Sequence, residues 1–195
     1  VSRLIAFTGP AGSGKSTAAD ALVEEGWVRV KFADPLKNMM RAFYRSCGLE
    51  DGTYIEARIE GLMKEEPDPF LKGRTPRHAM QTLGTEWGRN TIHESVWVEA
   101  WCQKVINMFD RGLDVVVDDC RFPNEANAVR SLGGRIVEII GRDKGLGKRH
   151  QSEAGVGEAD MQITNITSRE QFQQDIVYVF SRMDFPDLEP GEEEA

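Results

Sequence analysis

Apolar residues along this chain fall into two alternating periods. Five short runs read as strands: Leu4-Ile5-Ala6-Phe7, the alternating stretch from Trp27 to Ala33, Leu113 to Val117, Arg135 to Ile140, and Met161 to Thr164. The second alternates apolar and polar positions, as a half-buried or edge strand does. The third is continuous and ends in two acids, Asp118 and Asp119. Between the runs, apolar residues recur at helical spacing. They do so at Ala18 to Leu22, at Met39, Met40, Ala42 and Phe43, and at Ala79, Met80, Leu83 and Trp87 after Thr75-Pro76. Trp97, Trp101, Val105 and Met108 form a further face, a short helix is expected from Pro123 through Leu132, and Phe172, Ile176, Val179 and Met183 follow a capping box at Ser168–Gln171. Strands alternating with helices predict an α/β fold: three layers, with a five-stranded parallel sheet and helices on both faces. Residues 48–73 are the least regular, with one short helix expected around Ile55 to Met63, and read as an insertion or flap.

The first strand runs into Gly9-Pro10-Ala11-Gly12-Ser13-Gly14-Lys15-Ser16-Thr17, and a helix follows. Strand, G-x-x-x-x-G-K-[ST], helix is the context of a triphosphate-binding P-loop. Glycine permits backbone angles and close approaches that a side chain would block. The loop N–H groups and the positive helix end then face one anion. Gly9, Ala11, Gly12, Ser13, Gly14, Lys15, Ser16 and Thr17 are the expected ATP ligands. Lys15 would reach the β- and γ-phosphates, and the Ser16 hydroxyl would meet Mg²⁺.

Composition narrows the class. The 195 residues suit one well-buried domain, expected over 1–185, with an acidic disordered tail at 186–195. A net charge of −8 argues against a nucleic-acid partner, and no apolar run approaches a membrane span. Cys47, Cys102 and Cys120 are an odd number at wide spacing, which suits reduced thiols in a cytoplasmic protein.

Asp34, Pro35, Leu36 and Lys37 follow the second strand, at the carboxyl end where a second substrate binds in an open parallel sheet. Asp34 reads equally as a helix cap. Arg74, Arg77 and Arg89 gather around one helix as an anion clamp would. Asp118 or Asp119, at a strand end, is the expected metal partner beside Ser16. Arg121 falls on the same side as Asp119 if the chain stays extended. The glycine-rich basic loop at 142–157, with Arg142, Lys144, Lys148 and Arg149, reads as a lid over phosphates. Tyr44, Trp87 and Trp97 could each stack on a base or block a 2′-hydroxyl, and core packing explains them at least as well.

A GTPase would need an N/T-K-x-D segment, which is absent. A small-molecule kinase is the best remaining class. An acceptor that is itself a phosphate needs positive charge rather than a general base, and the arginines supply it. The alternatives are another P-loop kinase, acting on dephospho-coenzyme A or a sugar acid, and a non-kinase ATPase or binding module.

The P-loop, Phe32-Ala33-Asp34-Pro35-Leu36-Lys37, Arg77 through Glu86 with its MQTLGTE segment, Asp119-Cys120-Arg121, and Ser152-Glu153 through Ile163-Thr164-Asn165 occur here in one order. Together they resemble the deoxynucleoside monophosphate kinases of tailed bacteriophages, over nearly the whole chain. The resemblance implies a nucleoside monophosphate kinase-like fold with a lid. It implies transfer of the ATP γ-phosphate to a dNMP with Mg²⁺, giving dNDP and ADP for phage DNA synthesis in the host cytoplasm. By that resemblance Asp34, Arg77, Gln81, Asp119 and Arg121 would surround the acceptor, and Lys37 and Arg74 join them from their positions in the chain. Lys15, Arg121, Arg142 and Arg149 would act on the transferring group. Small nucleotides are the expected partners, and a homodimer is left open.

Overall fold

The first strand, β1 (Leu4–Thr8), is buried along its whole length. A run apolar on both faces belongs in the middle of a parallel sheet, and there it lies. In the computed structural model, which describes residues 2–141 and 156–183, the five strands pair in parallel in the order β2-β3-β1-β4-β5. The others are β2 (Val28–Arg29), β3 (Val115–Val117), β4 (Arg135–Gly141) and β5 (Met161–Asn165). Register sets Ile5 against Val116 and Phe7 against Val137. Most of the lid expected at 142–157, with Arg142, Lys144, Lys148 and Arg149, and the tail at 186–195 lie outside the described residues.

The second strand is shorter than its alternating pattern. Val30 N–H still donates to Val116 O at 3.0 Å, but Phe32 N–H turns to the Asp119 carboxylate, also at 3.0 Å. A side chain has taken the place of the next ladder partner.

The helices α1 (Lys15–Glu24) and α7 (Arg169–Ser181) cover one face of the sheet, packing Leu22, Phe172, Ile176 and Phe180 on Ile5, Phe7, Val116, Val137 and Ile139. Ser168 Oγ caps α7 by accepting from Gln171 N–H at 3.2 Å. Helix α6 (Pro123–Ser131) lies on the opposite face, where a Cβ added at Gly134 would meet both Leu4 and Val129 within 2.8 Å.

The chain divides into two compact units, Val1–Phe32 with Cys102–Ala195, and Ala33–Trp101. The sheet belongs to the first. The second is helical: α2 (Asp34–Ser46), α3 (Gly52–Ile59), 3₁₀ turns at Leu62–Glu65 and Pro69–Leu71, and α4 (Pro76–Thr82). Its core gathers Met40, Tyr44, Ile55 and Ile59. The 48–73 stretch, patternless in sequence, is tied down by one buried acid. Asp68 accepts from Arg58 Nε at 2.7 Å, from Tyr44 OH at 3.3 Å and from Phe70 N–H at 2.8 Å. A buried charge is tolerated when paired and hydrogen-bonded in this way.

After Thr82 the helix widens into a π-helix, Leu83–Ile92. The Trp97 indole, on α5 (Val96–Phe109), donates to Gly84 O at 2.8 Å. A Cβ on Gly88 would sit 2.5 Å from the same ring. The ring therefore demands a glycine there and engages a carbonyl that the α-helical ladder would otherwise use.

Candidate active site

The loop after β1 shows why it carries three glycines at these positions. Gly9 has φ +129° and its missing Cβ would lie 2.5 Å from Ile139 O; Gly14 has φ +109° and its Cβ would lie 2.3 Å from Asn165 Nδ2. Gly12 has φ +76° with open space around it. Asn165, at the end of β5, donates to Ser13 O at 2.9 Å and so fixes the loop from across the sheet. The N-cap of α1 is Gly14, and among the described residues it makes no side-chain cap bond. The first N–H groups of the helix face the loop side, where an anion is favoured by the helix dipole. Ser13 Oγ is buried with no hydrogen-bond partner among the described residues. The Lys15 ammonium folds back to donate to Gly9 O at 2.7 Å and Pro10 O at 2.6 Å.

Two clefts flank this loop, both within the first unit. One, of about 520 Å³, includes Gly12, Ser13, Thr17, Asn165, Arg169 and Phe172 in its lining. The other, of about 590 Å³, includes Gly9, Lys15, Cys120, Arg121, Glu138 and Gln162. Lys15 and Arg121, 106 positions apart in the chain, thus share one cavity. Glu138 and Gln162 are register neighbours on β4 and β5, joined by a 2.8 Å hydrogen bond from the Gln162 amide. Sequence reasoning overlooked both. Glu138 lies mid-way along β4 and Gln162 near the start of β5, so no strand-end position marked them.

The two acids after β3 divide in role. Asp119 accepts from the backbone of Phe32. Asp118 is 5% exposed, and neither of its oxygens has a hydrogen-bond partner among the described residues. Lys31 Nζ stands 3.4 Å from one oxygen and Arg29 Nη1 3.7 Å from the other. The same Arg29 guanidinium reaches Asp20 at 2.6 Å and Ser16 O at 3.4 Å, which ties Asp118 to the first turn of α1. Among the described residues no group of three His, Cys, Asp or Glu gathers as a chelating site. Mg²⁺ bound chiefly through phosphates and water needs no such group, and the Asp118 oxygens, ion-paired with Lys31 and Arg29, accept no hydrogen bond among the described residues. Cys120, next in sequence, is 1% exposed, and burial raises its thiol pKa, reinforced by Glu125 and Asp119.

The remaining expected residues stand on the second unit. Asp34 is the first residue of α2, and the N-cap position belongs to Ala33. Lys37 pairs with Glu60 at 2.7 Å, and Arg77 pairs with Glu65. Arg74 and Gln81 are exposed. The 48–73 stretch therefore supplies carboxylates to two of the expected acceptor cations, which a helical or strand period does not reveal. Tyr44 is 0% and Trp97 5% exposed, so both are core, whereas Trp87 is 41% exposed. No described helix is long and apolar enough to cross a membrane.

The sequence profile of a family described as deoxynucleotide monophosphate kinase matches residues 71–176, more than half of the chain. The chain belongs to that family. The match holds the Arg77–Glu86 segment and Asp119-Cys120-Arg121 together. A relative from Acanthamoeba polyphaga mimivirus, provisionally named a deoxynucleotide monophosphate kinase, is 29% identical over 190 residues, 89% of this chain and 94% of its own. The deoxynucleotide monophosphate kinase of Enterobacteria phage T4 is 30% identical over 98 residues, 49% of this chain and 41% of that enzyme. The match thus spans less than half of the T4 enzyme's length. TT1252 from Thermus thermophilus shares the fold, with a TM-score of 0.52 at 18% identity over 94% of this chain and 98% of that one.

Proposed function

We propose that this kinase transfers the γ-phosphate of ATP to a deoxynucleoside monophosphate, giving dNDP and ADP. The observation that carries the reading is the pair of clefts beside one P-loop, with Lys15 and Arg121 lining the same one. The loop amides and Lys15 hold the donor phosphates, and the neighbouring cleft at Ser13, Thr17 and Asn165 takes the donor nucleoside. For this, Lys15 must leave the carbonyls of Gly9 and Pro10. Arg121 faces the acceptor phosphate. An acceptor oxygen forms the new bond to the γ-phosphorus while the bond from that phosphorus to the β,γ-bridging oxygen breaks, and the electron pair leaves on ADP. The acceptor is already an anion, so no side chain need take a proton.

Ser16 and Asp118 would hold Mg²⁺, which supplies charge neutralisation on the triphosphate when bound. Asp118 is preferred to Asp119 because Asp119 is engaged with Phe32. Asp34, Lys37, Arg74, Arg77 and Gln81 remain proposed acceptor ligands. At Lys37 and Arg77 a phosphate would displace Glu60 and Glu65. Arg142 and Arg149 keep the lid role that the resemblance implies.

The test is a coupled ADP-release assay over dNMPs, ribonucleoside monophosphates, dephospho-coenzyme A and sugar acids. Turnover with dNMPs is expected. ADP release indifferent to every monophosphate would overturn the reading. Lys15→Ala should lower the rate on the order of 10²–10³-fold, as loss of a charge contact to the transferring group does.

A further inference from the structure

Arg121 lines the cleft that Lys15 also lines, on the turn between β3 and α6, where nothing in the periodic pattern holds it. Its N–H donates to Glu125 Oε2 at 2.7 Å, and the next N–H, of Phe122, donates to the same oxygen at 3.1 Å. Glu125 is 3% exposed and stands in the first turn of α6. Phe122, the residue before that helix, has no side-chain oxygen to cap it, so the capping is one-sided, from Glu125 back to the backbone. A buried carboxylate beside an anion-binding cleft is an unfavourable charge for the ligand. It is tolerated where its hydrogen bonds fix something the site requires. It also uses backbone donors at this end of α6, which leaves the Arg121 guanidinium as the group presented to the cleft.

We propose that Glu125 is the positioning residue of Arg121: its buried carboxylate fixes the backbone turn that presents the guanidinium to the cleft shared with Lys15. The inference rests on the reading of Arg121 as a ligand of the acceptor phosphate. The role is geometric, so reach matters and charge does not. Both N–H groups meet one oxygen, which a glutamine carbonyl can replace and a shorter aspartate cannot.

The experiment measures KM for ATP, and KM and kcat for the best acceptor of the panel above, in Glu125→Gln, Glu125→Asp, Arg121→Ala and the Arg121→Ala/Glu125→Asp double variant. Glu125→Gln should keep the acceptor kcat/KM within the same order of magnitude. Glu125→Asp should lower it on the order of ten- to a hundredfold, the scale of a small misplacement of a reacting group. Its KM for ATP should stay unchanged. In the double variant the aspartate should add nothing to Arg121→Ala, since Glu125 acts through Arg121. Additive losses, a glutamine variant as impaired as the aspartate one, or an equal rise in the ATP KM would each overturn the inference. Arg121→Ala impaired while Glu125→Asp behaves as wild type overturns the positioning role alone. Arg121→Ala with unchanged acceptor kinetics overturns the reading of Arg121 itself.

Discussion

Two glycines of the phosphate loop look alike in sequence and differ in what surrounds them. At Gly9 an added Cβ would meet a backbone oxygen at 2.5 Å on top of φ +129°, whereas Gly12 has φ +76° and, among the described residues, nothing within 4 Å. Gly12→Ala should therefore cost about 1–2 kcal/mol, the penalty of a left-handed alanine. Gly9→Ala should cost more, because Ile139 O belongs to a strand that cannot yield as a side chain does. Urea midpoints of the two variants against wild type check this; equal losses would mean that the close approach is irrelevant. The motif that named Lys15 and Ser16 was legible because its chemistry lies within nine consecutive residues. The difference between Asp118 and Asp119 in what they contact was not. It depends on Phe32, Lys31 and Arg29, about 90 positions away along the chain, whose contacts follow from strand pairing.

Between elements, charge pairs do what local pattern cannot. Arg41 of α2 and Glu56 of α3 meet in two bonds of 2.7 and 2.8 Å, and the guanidinium lowers the Glu56 pKa. A carboxylate whose folded pKa is lowered stabilises the fold fully above its unfolded value, about 4.3, and loses that contribution as pH falls through the folded value. The Glu56 side chain is 48% exposed, so screening keeps the contribution below about 1 kcal/mol. Glu56→Gln should thus lower the urea midpoint slightly at pH 7, and the difference should shrink as pH falls and Glu56 takes up its proton. A difference that persists at low pH would assign the effect to packing instead. All five strands and every long helix were readable from periodicity, since burial of one stripe repeats every two or 3.6 residues. The π-helix at Leu83–Ile92 was not, because the helical spacing of Ala79, Met80, Leu83 and Trp87 continues into it. An indole from the following helix meets the Gly84 carbonyl within that widened stretch.

For the whole molecule, the P-loop is a site that exists only in the folded chain. Mg·ATP at a hundred times its Kd should stabilise the protein by about 2.7 kcal/mol, seen as a rise in Tm. Lys15→Ala should lose most of that rise while its Tm without nucleotide stays near wild type. An undiminished rise would remove Lys15 from the donor site.

By itself the sequence determined the parallel α/β class, the phosphate loop and the family, because each is written in short segments of fixed spacing. Tertiary structure decided the strand order β2-β3-β1-β4-β5 and the sharing of one cleft by Lys15 and Arg121. It assigned Tyr44 and Trp97 to the core, and it engaged Lys37 and Arg77 with carboxylates of the 48–73 stretch. Those outcomes turn on which residues meet after packing. Side chains far apart in the chain, or on a stretch without period, carry no record of that meeting until burial and hydrogen bonding bring them together.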